Sequence, residues 1–340
     1  RILLTMSGTA ALEMAAQLCD LAPEDEVVLP AFTFVSTANA FLYQGSKLRF
    51  VDIRPDTLNI DDALIESAVT ERTRVIAPVH YAGVCCEMDK INAIAKANDL
   101  LVVEDAAQGV DARYNGRYQG TLGDFGCYSF HETKNFICGE GGALVIRDPD
   151  KVARAERILR DGSTLTGEQS GVIQQEDWQE VGMSCALPEL LAAFLYAQLQ
   201  NMDHITGRRR AIYQRYCEAL RPQEVCGNLK LPIIPPGQAI NYHMMYVLLE
   251  NEETRRALIN HLKALGILAV FHYQPLHTSP MGQSMGYRQG MLPVTEDVSK
   301  RLLRLPMFFD MDASQVDEVT AAIRLFFDSG THSPVSGNSQ

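Results

Sequence analysis

Over residues 1–150 the chain alternates between short apolar runs and longer stretches in which apolar residues recur every three or four positions. Short strand-like runs fall at 26–29, 48–51, 74–79 and 100–103, and the last suits a strand buried on both faces. The helical period appears between them, at 10–21, 36–43, 61–68 and 87–97. This order predicts an α/β fold with a mostly parallel central sheet covered by helices. Two further strands are expected at 126–130 and 143–147. A polar, aperiodic stretch at 162–179 reads as a loop near a site or an interface. A helical region at 187–220 then leads into a second part. Strands are expected there at 242–250 and 268–272, and helices at 252–265, 296–303 and 313–327. The last residues, 329–340, are polar and Gly/Ser-rich and predict a disordered tail. A chain of 340 residues exceeds what one core comfortably serves, so a large domain at 1–200 and a smaller α+β domain at 201–328 are expected.

Composition narrows the class. Apolar residues make up 46% and charged residues 21%, as in a soluble globular enzyme. The net charge of −12 argues against nucleic acid or an anionic membrane as the main partner, while leaving room for a small anion in a local pocket. No uninterrupted apolar run is long enough for a membrane span, and the most apolar helical stretch, 187–199, is broken by Glu189. Eight cysteines occur without a CxxC pair or a zinc-like spacing. They read as small buried hydrophobes in a reducing, cytoplasmic setting, and no metal site is expected. No secretory signal opens the chain. It begins with Arg1, almost on a candidate functional loop, which predicts that a further segment precedes it.

In such sheets ligands bind beyond the carboxyl ends of the strands. The run at 100–103 ends in Glu104 and Asp105. A carboxylate there could hold a ring nitrogen in its protonated state, or it could cap the turn into Ala106 and Ala107. Lys134 follows an expected strand and precedes Gly139-Glu140-Gly141-Gly142. A lysine shielded from water has a lowered pKa and a nucleophilic amine; the alternative is a solvated surface charge. Ser129 could donate to a phosphate or serve a turn. Ser7 looks like an N-cap for a helix whose first amides, near Thr9 and Ala10, could bind phosphate or simply be capped. Phe32 and Phe34 follow a strand and could stack on a planar ring or fill the core. A nucleophilic amine, a ring-facing acid, a phosphate cradle and a stacking aromatic together are what pyridoxal 5'-phosphate (PLP) requires.

The segments SGTAAL, LPAFTFVSTANA, FVDIRPDTLNID, PVHYAG, VVEDAAQG, SFHETKN with GEGG, HMMYV, FHYQPLH and RLLRLP occur in order over nearly the whole chain. Together they resemble the DegT/DnrJ/EryC1/StrS family of sugar aminotransferases, which have the aspartate aminotransferase fold (PLP fold type I). The resemblance implies that Lys134 bonds the PLP aldehyde and that Asp105 pairs with the pyridine nitrogen. It implies that Gln108 lies near the ring and its hydroxyl, and that Ser129, Thr9 and the Ala10 amide cradle the phosphate. Phe34, rather than Phe32, falls at the stacking position. Tyr273 and His277 are implied on the substrate side, without a firm role, and the same holds for His80 and His131.

The resemblance further implies L-glutamate as donor, a nucleotide-linked keto sugar as acceptor, and a homodimer with sites at the interface. FVSTANAF, RPDTLNID, PVHYAGV and AVFHYQPLH are most similar to transaminases that convert dTDP-4-keto-6-deoxyglucose to dTDP-4-amino-4,6-dideoxygalactose for surface polysaccharide. A 3-aminotransferase acting on a dTDP-3-keto-6-deoxy sugar and a non-catalytic PLP-fold binding protein remain alternatives. Lys134 argues against the family's dehydratases, which have histidine there. Three departures bear on substrate more than on reaction. The family's opening segment is absent, Ala186 replaces an asparagine that in many relatives reaches the partner's phosphate, and 162–179 together with the spacing from Lys134 to the glycines matches less well.

Overall fold

The computed structural model describes residues 1–164 and 177–329. Seven strands form the main sheet: β1 (Ile2–Thr5), β2 (Glu26–Pro30), β3 (Lys47–Val51), β4 (Thr73–Ile76), β5 (Leu101–Asp105), β6 (Phe125–Ser129) and β7 (Gly142–Ile146). Their spatial order is β1-β7-β6-β5-β4-β2-β3. Neighbours from β6 to β3 run parallel, while β7 is antiparallel to β6, and β1 to β7. The helices between strands are α1 (Gly8–Leu18), α2 (Val35–Leu42), α3 (Asp62–Ala68) and α4 (Met88–Ala97), followed by α5 (Val152–Leu159). Every residue of β2 is buried, as the apolar run Val27–Pro30 requires for a strand covered on both faces, and its first residue, Glu26, is paired with Arg72. The face that α1 lays on the sheet is mostly alanine with Leu12, Met14 and Leu18. Small side chains let the helix axis approach the strands closely.

The rest of the chain builds a second, smaller sheet. It comprises β8 (Leu229–Lys230), β9 (Met245–Leu249) and β10 (Leu302–Leu305), all antiparallel in the order β8-β9-β10. Helices α6 (Glu189–Gln200), α7 (Met202–Val225), α8 (Glu252–Ala264), α9 (Pro293–Arg301) and α10 (Ala313–Asp328) accompany it. One apolar core lies between α7, α8, α10 and this sheet. Another joins the two sheets, with Phe32, Ile53 and Tyr81 packed on Met244, Tyr246 and Leu302. That second core fixes the small sheet against the ends of β2 and β4.

The expected α/β architecture and its parallel strands are observed with ends within three residues, with four exceptions that have physical causes. The four-residue β1 carries too short an alternation to stand out, yet it is stitched to β7 over its whole length. The helical region at 187–220 splits at Asn201, whose amide closes α6 onto the carbonyls of Gln198 and Leu199. No strand forms at 268–272; only Val270 bridges Arg304. The helix expected at 296–303 starts earlier, because Pro293 has the φ of a first turn and needs no amide partner, and residues 302–305 become a strand instead. In the stretch at 162–179, Ser163–Thr164 pairs with Asp177–Trp178. Residues 165–176 of that stretch and 330–340 of the expected tail lie outside the described residues.

The apolar stretch of α6 does not become core. Only Leu195 is buried in it, while Leu190, Phe194 and Tyr196 are exposed. No helix among the described residues is long and apolar enough to cross a membrane. All eight cysteines are unpaired, and six are buried.

Candidate active site

The carboxyl ends of β2, β5 and β6 and the first turns of α1 and α2 surround a cavity of about 530 Å³. β5 ends in two acids, which the alternation of a strand sends to opposite sides. Glu104 points away from water. It accepts the amides of Gly120 at 2.8 Å and of Leu122 and Gly123 at 2.6 Å, and meets His80 Nε2 at 2.8 Å. The Cys86 amide donates to His80 Nδ1, so the proton of a neutral His80 sits on Nε2. Asp105 faces the cavity. Its Oδ2 accepts the Thr37 hydroxyl at 2.6 Å and its Oδ1 the Ala107 amide at 3.1 Å. Asp105 thus caps the turn into Ala106 and Ala107 and presents a fixed carboxylate to the cavity. Because Thr37 gives its proton to Asp105, the Thr33 hydroxyl at 2.8 Å donates to Thr37, and the three groups form one chain.

Lys134 reaches the cavity from the loop after β6. The loop is closed by Phe130 and Cys138, whose amides donate to Gly141 and Phe130 carbonyls. The neighbouring Asn135 is buried; its Nδ2 donates to the Asn241 carbonyl at 2.7 Å and its Oδ1 accepts from His243 Nδ1 at 2.9 Å. Lys134 Nζ itself has no hydrogen bond or ion pair among the described residues. Burial pushes its ammonium below the ordinary lysine range; Asp105 opposes this and the Arg304 charge adds to it. Burial, helped by the Lys134 charge, likewise holds His243 well below the usual histidine range. A neutral His243 donating from Nδ1 has its Nε2 lone pair free.

At the opposite end Ser7 caps α1, its Oγ accepting the Ala10 amide at 3.0 Å. This corrects the expectation for Ala10. Its amide is engaged by the cap and the residue is buried off the cavity, so the donors left for an anion are the amides of Gly8 and Thr9. The Thr9 hydroxyl pairs with Ser36 Oγ at 2.8 Å, and both line the cavity with Ser129. Gly8 is required by close approach: a Cβ there would lie 2.8 Å from Ser129 Cβ. Gly142 behaves similarly, but what it lets pass is the backbone of Ser7 and Gly8 rather than a ligand.

Phe34 stands at the start of α2 with its ring open to the cavity, 57% exposed. Phe32 instead packs in the core, its ring 5.2 Å from Tyr81 and 5.6 Å from Tyr273. Gln108 links the two sides of the cavity. Its Oε1 accepts the Ala82 amide at 2.6 Å and its Nε2 donates to Tyr273 Oη at 3.2 Å. Tyr273, His80 and His131 all line the cavity. His277 does not, which corrects its expected place on the substrate side. The short turn Leu276–Thr278 directs the ring into the interior, where Nε2 meets Glu296 at 2.9 Å. The cavity also contains Ser36, His243 and Arg304, and Thr37 stands behind it. None was singled out from sequence. The one available signal was Arg304, a charge inside the apolar run Leu302–Leu305.

These residues fit PLP: a shielded amine with no partner among the described residues, a fixed carboxylate, an exposed ring, and open amides at a helix end pressed against Ser129. The class this defines is a PLP enzyme of fold type I. The chain belongs to the DegT/DnrJ/EryC1/StrS aminotransferase family, whose model matches residues 2–324. It is 36% identical over 323 residues to a "pleiotropic regulatory protein" of Geobacillus stearothermophilus, covering 94% of this chain and 83% of the relative. It is 35% identical over 328 residues to the spore coat polysaccharide biosynthesis protein SpsC of Bacillus subtilis, with the same coverage. Among solved structures it is similar to the aminotransferase TlmJ of Streptoalloteichus hindustanus, with a TM-score of 0.90, 28% identity, and coverage of 98% and 87% of the two chains. The cofactor of this family is PLP.

Proposed function

We propose that this protein moves an amino group from L-glutamate to a nucleotide-linked keto sugar, with dTDP-4-keto-6-deoxyglucose as acceptor and dTDP-4-amino-4,6-dideoxygalactose as product. The observation that carries the transfer reaction is Lys134: an amine shielded from water, without a partner among the described residues, in one cavity with the carboxylate of Asp105. When bound, PLP supplies an aldehyde that condenses with amines and a ring that accepts the electron pair released at the donor carbon. Lys134 would hold the cofactor through this aldehyde and, as a free amine, would take the proton from the donor Cα. Its lowered pKa favours the uncharged form that this work needs. Asp105, oriented by Thr37 and the Ala107 amide, keeps a proton on the ring nitrogen. Gly8, Thr9, Ser36 and Ser129 would hold the phosphate, and Phe34 would lie against the ring. Gln108 and Tyr273 border the face where substrate enters.

The acceptor rests on the resemblance of the loop segments, supported by the polysaccharide role in the name of SpsC. The intact amine and acid favour turnover over a purely regulatory role, whatever the name of the Geobacillus relative implies for that protein. The same reading includes a homodimer in the cytoplasm. The exposed Leu190, Phe194 and Tyr196 of α6 offer a face for a second copy, and the unpaired cysteines suit a reducing compartment.

The test is incubation of the PLP-loaded protein with glutamate and dTDP-4-keto-6-deoxyglucose, with product identified by mass spectrometry and NMR and Lys134→Ala run alongside. A 4-amino-4,6-dideoxygalactose formed only by the unmutated protein supports the reading. Conversion of glutamate to 2-oxoglutarate without any amino sugar from this acceptor removes the substrate assignment and keeps the reaction. Failure to convert glutamate removes the reaction as well.

A further inference from the structure

Two atoms on the wall of one cavity have complementary, unused hydrogen-bonding capacity. Lys134 Nζ donates to nothing among the described residues. His243, just before β9, is 6% exposed and borders the same cavity. Its ring is fixed by bonds that start at the main chain. The Asn241 carbonyl only accepts, so the Asn135 atom 2.7 Å from it is Nδ2, and the atom turned to His243 is Oδ1. Oδ1 only accepts in its turn, so His243 Nδ1, 2.9 Å away, carries a proton. Burial, with the charges of Lys134, Arg209 and Arg304, keeps the ring neutral. The remaining nitrogen, Nε2, is therefore a lone-pair acceptor, and it has no partner among the described residues. The backbone beneath the ring is pinned as well, because Arg209 donates to the carbonyls of Tyr242 and His243.

The other histidines on this cavity are placed differently. His80 spends both nitrogens, on Glu104 and on the Cys86 amide. His131 turns to Thr133 and Glu140 at the exposed rim. His272 meets the Tyr81 hydroxyl, which can give or take a proton and so sets no tautomer. We propose that His243 is a positioning residue for Lys134: its Nε2 accepts an N–H of the lysine amine whenever that amine is free, and so aims the amine's lone pair at the donor Cα. This rests on the transaminase reading and adds to it the residue that orients the base. Lysine has a long flexible stem, and proton transfer needs one direction. A carboxylate in the place of His243 would hold the amine by favouring its charged form, which has no lone pair. A neutral imidazole holds it by an N–H and leaves the lone pair available.

The test uses two substitutions that divide the ring's two bonds. In His243→Asn the amide nitrogen can stand for Nδ1 and keep the tie to Asn135, while the Nε2 acceptor is lost. In His243→Gln the amide oxygen can stand for Nε2, while the tie to Asn135 is lost. With PLP-loaded protein, the single-turnover rate at saturating glutamate should fall about ten- to a hundredfold in His243→Asn, as for a misplaced reacting group, and only about threefold in His243→Gln. The half-saturating glutamate concentration should stay the same, and the isotope effect of α-deuterated glutamate should grow in His243→Asn. Melting temperatures should run in the opposite order, with His243→Gln below His243→Asn. A readout free of turnover is nitrogen NMR of histidine-labelled protein loaded with pyridoxamine 5'-phosphate, in which Lys134 is free. It should show an Nδ1–H tautomer whose Nε2 resonance shifts in Lys134→Met. Unchanged turnover in His243→Asn overturns the proposal. Rates that fall in step with melting temperature overturn it by marking a structural role, and a raised half-saturating concentration at unchanged rate overturns it by marking a direct substrate contact. If the unmutated protein does not convert glutamate, the transaminase reading fails. The NMR comparison then decides this assignment by itself, since an Nε2 resonance indifferent to Lys134→Met removes the tie between the two residues.

Discussion

Replacing Thr37 by valine tests whether Asp105 works as an oriented carboxylate or merely as an acid near the ring. Thr37 is fully buried, touches no substrate-sized space itself, and donates to Asp105 Oδ2 at 2.6 Å. Valine fills nearly the same volume but removes the donor, and it leaves the Thr33 hydroxyl without its acceptor. Water does not replace the lost bond at a site without exposure. A hydrogen bond to a charged group contributes about 1.5–3 kcal/mol, which converts to roughly a ten- to 150-fold effect. If the bond matters chiefly for holding Asp105 toward the ring nitrogen, kcat/KM for glutamate should fall within that range. PLP should dissociate more readily, as measured from its absorbance, and Thr37→Ser should restore most of both. A Thr37→Val protein that turns over within about twofold of the unmutated one would show that orientation by Thr37 is dispensable, and the role assigned to it would have to be dropped.

Three further outcomes follow from the same geometry. Lys134→Met should make the cofactor-free protein more stable at neutral pH, because folding takes an ammonium whose pKa the fold lowers out of water. The unfolded chain binds that proton more tightly, so the gain is full below the folded pKa and vanishes as pH rises to the ordinary lysine value of 10.5; thermal unfolding across pH checks both sign and window. Gly8→Ala places a Cβ 2.8 Å from Ser129 Cβ and 3.2 Å from the Tyr128 carbonyl, so α1 must shift. A loss of about 1–3 kcal/mol in chemical denaturation, with weaker PLP binding, is expected, and unchanged PLP affinity would count against a phosphate site there. Glu104→Gln replaces an acceptor of three amides and a histidine N–H by a group that must itself donate, facing at least one donor with another. Destabilisation of about 3–5 kcal/mol is expected in urea unfolding, and a change below 1 kcal/mol would refute the accounting.

Much of this was legible in the chain because local pattern and tertiary role coincide. The run at 100–103 is apolar since β5 is covered on both faces, and its terminal acid reaches the cavity because ligands gather where parallel strands end. The helix starting near Ser7 announces itself through its cap, but which amide the cap consumes is settled by backbone angles, which composition does not specify. His277 misled because a histidine beside Tyr273 in sequence lies in the interior once a single short turn intervenes. Thr37 was invisible: its helical position is unremarkable, and its role exists only because β5 brings Asp105 to it from 68 residues away. Arg304 carried a signal in the mismatch between its charge and its apolar neighbours.

The groups that fit the cofactor stand on one sheet, and part of the remaining cavity wall stands on the other. Lys134, Asp105, Ser129 and the first turns of α1 and α2 belong to the parallel sheet, while His243, Arg304 and the chain leading to Tyr273 belong to the antiparallel one or its flanks. The two are joined by a shared apolar core and a handful of polar ties such as Gln108–Tyr273 and Asn135–His243. Changes on either sheet that spare those ties should therefore combine with nearly additive free energies, as independent sites do. A lineage built on this plan can alter which amine donor or sugar it accepts by drifting in the small sheet, without renegotiating how it keeps its coenzyme.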